Sequence, residues 1–202
     1  MSVFIIFCIL LWCYILTVFH RGKLYYFKFI WGSVGLFITL MILVQPVATE
    51  VLTVLVSSAA GIVGKFTGLY ESYHEYGVLF IVNNSSSISL YIDYECSGVI
   101  EMMAFVSMLA FFQVYDISQR IIISIIGCVT IFCANVMRIF IICLIIYYFG
   151  NNAYYFAHTI IGRIFFYGAS VAMYYYVFTK SQVMKQKVGG FQYEQHSENT
   201  LK

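Results

Sequence analysis

The sequence predicts an all-α polytopic membrane protein with a small extracytoplasmic hairpin and an interfacial helix. Its composition points there first: 62% of its 202 residues are apolar and 10% charged, against about 45–50% and about 25% in soluble domains. The apolar residues also gather into runs of the length a bilayer crossing needs, roughly 17–25 residues, and the Lys and Arg fall in the gaps between them. A single Pro, with 18 Tyr and 19 Phe, excludes a disordered chain. The net charge of +2, scattered through short loops, excludes the basic patch that a nucleic-acid partner requires.

The first run, Val3–Phe19, reads as a retained helix. It lacks the basic n-region and small-residue cleavage site of a secretion signal, and Arg21 and Lys23 follow it. Further spans are predicted over Phe29–Val44, Gly98–Tyr115, Ile121–Phe149 and Ile160–Phe178, so residues 1–180 form a single integral membrane domain and 181–202 a cytoplasmic tail. Short cytoplasmic loops are enriched in Lys and Arg. Arg21, Lys23 and Lys28, then Arg120, then Lys180, Lys185 and Lys187 all fall on one side if five spans start from an outer N-terminus. The opposite segments, 45–97 and about 150–159, contain only Lys65 and face out.

Within the outer loop 45–97, Val51–Val63 is apolar enough for a sixth span. Crossing there would oblige the following stretch to cross back, and Asn83-Asn-Ser-Ser-Ser87 interrupts every window long enough to do so. An interfacial or re-entrant helix is expected instead, with Ser57, Ser58, Ala59, Ala60 and Gly61 allowing close packing. Val78–Val82 and Ile88–Tyr94 read as two strands joined by Asn83–Ser87. In the second, Ile88, Leu90 and Ile92 alternate with Ser89, Tyr91 and Asp93.

Polar residues at membrane depth point to function, since an ionisable side chain there costs at least a few kcal/mol unless paired or wet. Asn135 and Arg138, three apart on one helical face, lie inside the fourth span. From Arg120, eighteen residues place Arg138 about 27 Å along the axis, close to the outer edge of a core about 30 Å thick. His158 stands at the outer entrance of the fifth span, with Gly162 one turn below and Arg163 beside it. Five cysteines (Cys8, Cys13, Cys128, Cys133, Cys143) fall inside apolar spans as small hydrophobes, whereas Cys96 lies in polar sequence just before the third span. Unpaired N–H groups and the helix dipole at that position favour a thiolate.

Thiol, imidazole and guanidinium thus reach one outer boundary from three spans, a set suited to acyl transfer. A thiolate attacks a carbonyl, His moves protons, and a fixed cation stabilises charge developing on oxygen. Bland readings stand beside this one. Cys96 can be an incidental cysteine, His158 an interfacial polar residue, and Arg138 a snorkelling or helix-pairing residue. Glu101, one turn into the third span, is either a third ionisable partner or a structural ion pair with Arg138 or Arg163. The Tyr run at 174–176 fits an inner aromatic belt. His20, His74 and His196 have no ligand at metal spacing, so neither metal nor cofactor is expected.

Glu95-Cys96-Ser97-Gly98, Asn135-Val-Met-Arg138 and His158-Thr-Ile-Ile-Gly162 resemble, in order and spacing, the three signature blocks of the exosortase/archaeosortase family, over roughly residues 77–178. The short, Tyr/Phe/Ile-rich chain is most similar to the exosortase G subgroup of Gram-positive bacteria. That resemblance implies a cysteine-dependent peptidase or transpeptidase in the bacterial cell membrane, with its active site at the extracytoplasmic face. Its substrate would be a membrane-anchored protein with a C-terminal sorting signal. Cys96 would be the nucleophile, Arg138 the stabilising cation and His158 the proton carrier, with Asn135, Ser97 and Gly162 in supporting places. Archaeal relatives can carry Arg where others carry His, so Arg163 stays open as an alternative to His158. The rival reading is a non-catalytic scaffold subunit for envelope polysaccharide machinery, with an envelope glycosyltransferase as candidate partner.

Overall fold

The structure is a computed structural model that describes residues 2–73, 77–83, 86–92 and 94–183. His74, Asp93, His196 and all of the expected tail beyond Val183 lie outside the described residues.

Helix covers most of each expected span. Helix α1 covers Ser2–Arg21 and α2 Tyr25–Leu43. After Val44 the chain re-enters helix at once as α3, Gln45–Thr67, with Pro46 in its first turn, where a missing N–H costs nothing. Helix α3 is thus longer than the expected 51–63, and by length and composition it joins α2, Ile117–Phe149 and Phe156–Val183 as a helix able to cross a membrane. With Ile6–Arg21 of α1 and Val99–Phe111 as shorter apolar helices, the protein is a multi-pass membrane protein. Bare Ile125, Val129, Ile164 and Val171 on the outside of the bundle are what lipid-facing surfaces require.

Beyond α3, Gly68 closes the helix in the left-handed conformation (φ 68°) and the chain doubles back along it. The expected two-stranded hairpin is a three-stranded antiparallel sheet, β1 (Glu71–Tyr73), β2 (Val78–Asn83) and β3 (Ser86–Tyr91), in that order. Strand β1 escapes sequence reading because three residues show no period. It is tied to α3 by the Ser72 hydroxyl donating to Ser57 O at 2.8 Å and the Tyr70 hydroxyl donating to Ala60 O at 2.7 Å. Burial of Tyr70, with a smaller contribution from nearby Cys143, pushes its phenol above the ordinary range.

A one-turn helix, α4 (Tyr94–Ser97), leads into α5 (Val99–Phe111). Helix α5 stops four residues before the expected boundary, because Phe112 is extended and Asp116 with Gln119 forms a capping box that starts α6, Ile117–Phe149. Arg120 reaches back to donate to Ala110 O at 2.7 Å and Tyr115 O at 3.1 Å, satisfying carbonyls at and beyond the end of α5. The last membrane element runs from the π-helix Phe156–Ile161 through α7 (Gly162–Tyr174) into a second π-helix, Tyr175–Lys180.

Two cores occupy opposite ends. One packs Val56 and Ala60 of α3, Leu79, Ile81, Leu90 and Ile92 of the sheet region, and Val136, Ile139, Ile142 and Ile146 of α6. The other joins Phe105 and Leu109 of α5, Ile131 of α6 and Phe166 of α7. At the end of the bundle away from the sheet, Phe112 meets Phe29, Tyr115 and Phe178, which brings Lys28, Arg120 and Lys180 to that end.

Candidate active site

Cys96 sits in the third position of α4 and packs in one core with Leu79, Ile81, Leu90 and Ile92 of the sheet region. The first turn of α5 does not follow Cys96 directly, as the sequence suggested, because Gly98 intervenes with φ 77°, a left-handed bend that only glycine adopts readily. The bend turns α4 away from α5. Ser97, fully buried, stabilises it by accepting from the Val99 N–H at 3.4 Å.

The Cys96 sulfur lies 3.1 Å from His158 Nε2, across 62 positions of sequence. A thiol can donate to an unprotonated Nε2, or an imidazolium can donate to a thiolate, so the pair can pass a proton between sulfur and ring. His158 is carried by the π-helical Phe156–Ile161. Single-turn π stretches of this kind re-aim side chains and recur at functional sites. Tyr154, four residues earlier, lies nearly parallel to the imidazole, with ring centroids 5.8 Å apart at 10°. Sequence reasoning passed over Tyr154; the i, i+4 spacing was the signal that could have found it.

Gly162 explains how α7 approaches α6. A Cβ there would fall 2.8 Å from Ile142 Cδ1 and 3.2 Å from Ala157 O. With glycine in place, the helix carrying His158 closes against the helix carrying Asn135 and Arg138.

Asn135 is fully buried and its Nδ2 donates to the backbone carbonyl of Cys96 at 2.6 Å. The amide therefore holds the main chain of the thiol residue, while its Oδ1 has no partner among the described residues. One turn along the same face, Arg138 is 4% exposed, with its guanidinium carbon 5.5 Å from the centre of the Phe166 ring. Such a stack offsets part of the cost of burying the cation. Phe166 went unnoticed in the sequence, where it reads as one more apolar residue of a span.

Of the other expected members, Glu101 is half-buried in the first turn of α5, within electrostatic range of Arg138. Arg163 is exposed on α7. None of the six cysteines forms a disulfide, and among the described residues no group of His, Cys, Asp and Glu could hold a metal ion.

The sequence matches the family model described as transmembrane exosortase (EpsH) over residues 1–175. No curated protein and no solved structure matches the chain.

Proposed function

The chain belongs to the transmembrane exosortase family, and on that premise we propose that it is a membrane-embedded cysteine peptidase or transpeptidase acting through a Cys96 acyl-enzyme. The observation that carries this reading is the 3.1 Å approach of Cys96 Sγ to His158 Nε2. The proposed substrate is a membrane-anchored exported protein bearing a C-terminal sorting signal, and the proposed site faces the extracytoplasmic side. Composition favours the Gram-positive exosortase G subgroup.

In the proposed reaction the thiolate attacks the scissile carbonyl carbon, and negative charge passes to the carbonyl oxygen, where Arg138 stabilises it. Collapse breaks the C–N bond. The amine leaves with the proton His158 has held, and a thioester remains on Cys96. Water or an acceptor amine then gives its proton to His158 and attacks the thioester, and the sulfur departs as thiolate. His158 is favoured over Arg163 because its ring nitrogen meets the sulfur while Arg163 is exposed.

The packing supports the proposed membrane placement. Helix α6 has 33 residues, so at 1.5 Å per residue it is about 50 Å long, well beyond a core about 30 Å thick. Its final third packs with α3 and the sheet, and we place that layer outside, with the Lys28, Arg120 and Lys180 end inside.

The test is processing of an exported reporter with a C-terminal apolar span. Cys96→Ala should abolish it, and Arg138→Ala and His158→Ala should each lower it by about 10²-fold or more while the protein still inserts. Normal processing by Cys96→Ala would eliminate the enzyme reading. Cys96 unreactive towards external thiol reagents would favour the scaffold.

A further inference from the structure

The sheet has two edge strands: β1 is tied to α3 through Ser72, and β3 leads to the nucleophile. In the order β1-β2-β3, strand β3 has a strand partner on one side only among the described residues. The Ile92 N–H donates to Gly77 O at 2.9 Å, and the register continues through Leu79↔Leu90 and Ile81↔Ile88. Hydrogen bonding alternates along an antiparallel pair. Ile88, Leu90 and Ile92 therefore spend their main-chain groups on β2, while the N–H and C=O of Ser87, Ser89 and Tyr91 point away from the sheet.

We propose that this edge is the docking strand for the protein substrate. An extended stretch of the substrate beside the scissile bond adds to β3 as a fourth strand, hydrogen-bonding to Ser87, Ser89 and Tyr91, and is led to Cys96, five residues beyond Tyr91. The inference rests on the acyl-enzyme reading and extends it from the chemistry to recognition. Three features favour a substrate strand over another occupant. The edge is covalently continuous with α4, so a strand seated on it is held in register with the sulfur. Recognition through main-chain groups suits a protein segment whose own backbone is extended, with side chains contributing only at alternate positions. One face of the sheet is buried through Leu79, Ile81, Leu90 and Ile92, and the other bears exposed aromatics: Tyr91 (63%), Tyr73 (53%) and Phe80 (39%). Every second side chain of an added strand would lie beside Tyr91 on that aromatic face, which fits β-branched or aromatic residues there.

Proline distinguishes the edge from the ladder. At Ser89 it removes an outward N–H and leaves the bonds to β2 intact, a position where strands tolerate it. The full-length protein is expressed with an exported reporter, ending in an apolar span, that the wild type shortens. Ser89→Pro should slow processing by about tenfold or more and Ser89→Ala by less than about twofold, with alkylation of Cys96 by iodoacetamide unchanged. Processing by Ser89→Pro at the wild-type rate would overturn the proposal. Should the proline impair insertion or alkylation, disulfide cross-linking decides, using Cys96→Ala, Ser89→Cys protein and reporters carrying single cysteines ahead of their span. Cross-links at every second reporter position support an added strand; uniform or absent cross-links overturn it. So does a Ser89→Cys homodimer in place of the reporter adduct, which would make the edge a contact between copies. Unchanged processing by Cys96→Ala strikes at the acyl-enzyme reading alone, since the cross-linking pattern does not depend on turnover.

Discussion

Asn135 holds the main chain of the proposed nucleophile without touching its reactive atom. Its amide donates to Cys96 O at 2.6 Å, so Asn135→Ala leaves a buried carbonyl unpaired, at a cost of about 1–3 kcal/mol. The expected outcome is slower processing together with altered alkylation of Cys96 by iodoacetamide; unchanged values for both would show that the amide does not position the thiol. At Tyr154 the ring lies against the imidazole. Tyr154→Phe should keep processing within about twofold, because the ring face remains, while Tyr154→Ala should slow it several-fold by freeing the ring. That contrast is measured on the reporter. Cys96, Arg138 and His158 were visible as candidates in the sequence because ionisable or nucleophilic residues stand out against apolar spans. Phe166 beneath Arg138 was not, since nothing in a run of Phe and Tyr marks the one that a cation will meet.

Among the elements, the π-helix and the glycine that ends it control where His158 points. Gly162→Ala places a methyl group against Ile142 and the Ala157 carbonyl. Overpacking of this kind costs about 1–3 kcal/mol, and part of it should be relieved by moving α7 outward. The expected result is loss of processing out of proportion to any loss of thermal stability in detergent; equal processing would show that the close approach is not needed. Arg120 performs a different task, joining the end of α5 to the start of α6 through Ala110 and Tyr115. Arg120→Ala should lower the melting temperature by several degrees, since charge-assisted hydrogen bonds are worth about 1.5–3 kcal/mol each, with the rate of Cys96 alkylation unchanged. The starts of α2 and α6 lie four residues before the expected Phe29 and Ile121, because Lys28 and Arg120 sit inside the first turns rather than before them. The end of α5 was not legible in the sequence, because Phe112–Tyr115 stays apolar while its backbone leaves the helix.

For the whole molecule the question is which end faces which compartment. Phe66 at the end of α3 is 89% exposed and Ile117 at the start of α6 is 76% exposed. With the sheet layer outside, a cysteine at Phe66 should react with a membrane-impermeant maleimide in intact cells, and one at Ile117 only after the membrane is opened. The reverse pattern would invert the proposed orientation.

The sequence by itself determined the class of molecule, the approximate position of most helices and the residues that stand out chemically, because each depends on local properties: apolar run length, charge placement and the cost of an ionisable group in hydrocarbon. It also carried the order of the three motif blocks, through which family membership could be seen. Only the tertiary structure decided that the Cys96 sulfur comes within 3.1 Å of His158 Nε2, that Asn135 holds the thiol residue by its carbonyl, and that a third strand ties the hairpin to α3. These depend on which faces of distant segments pack together, and the close approaches that settle them are set by whole helices rather than by any local pattern.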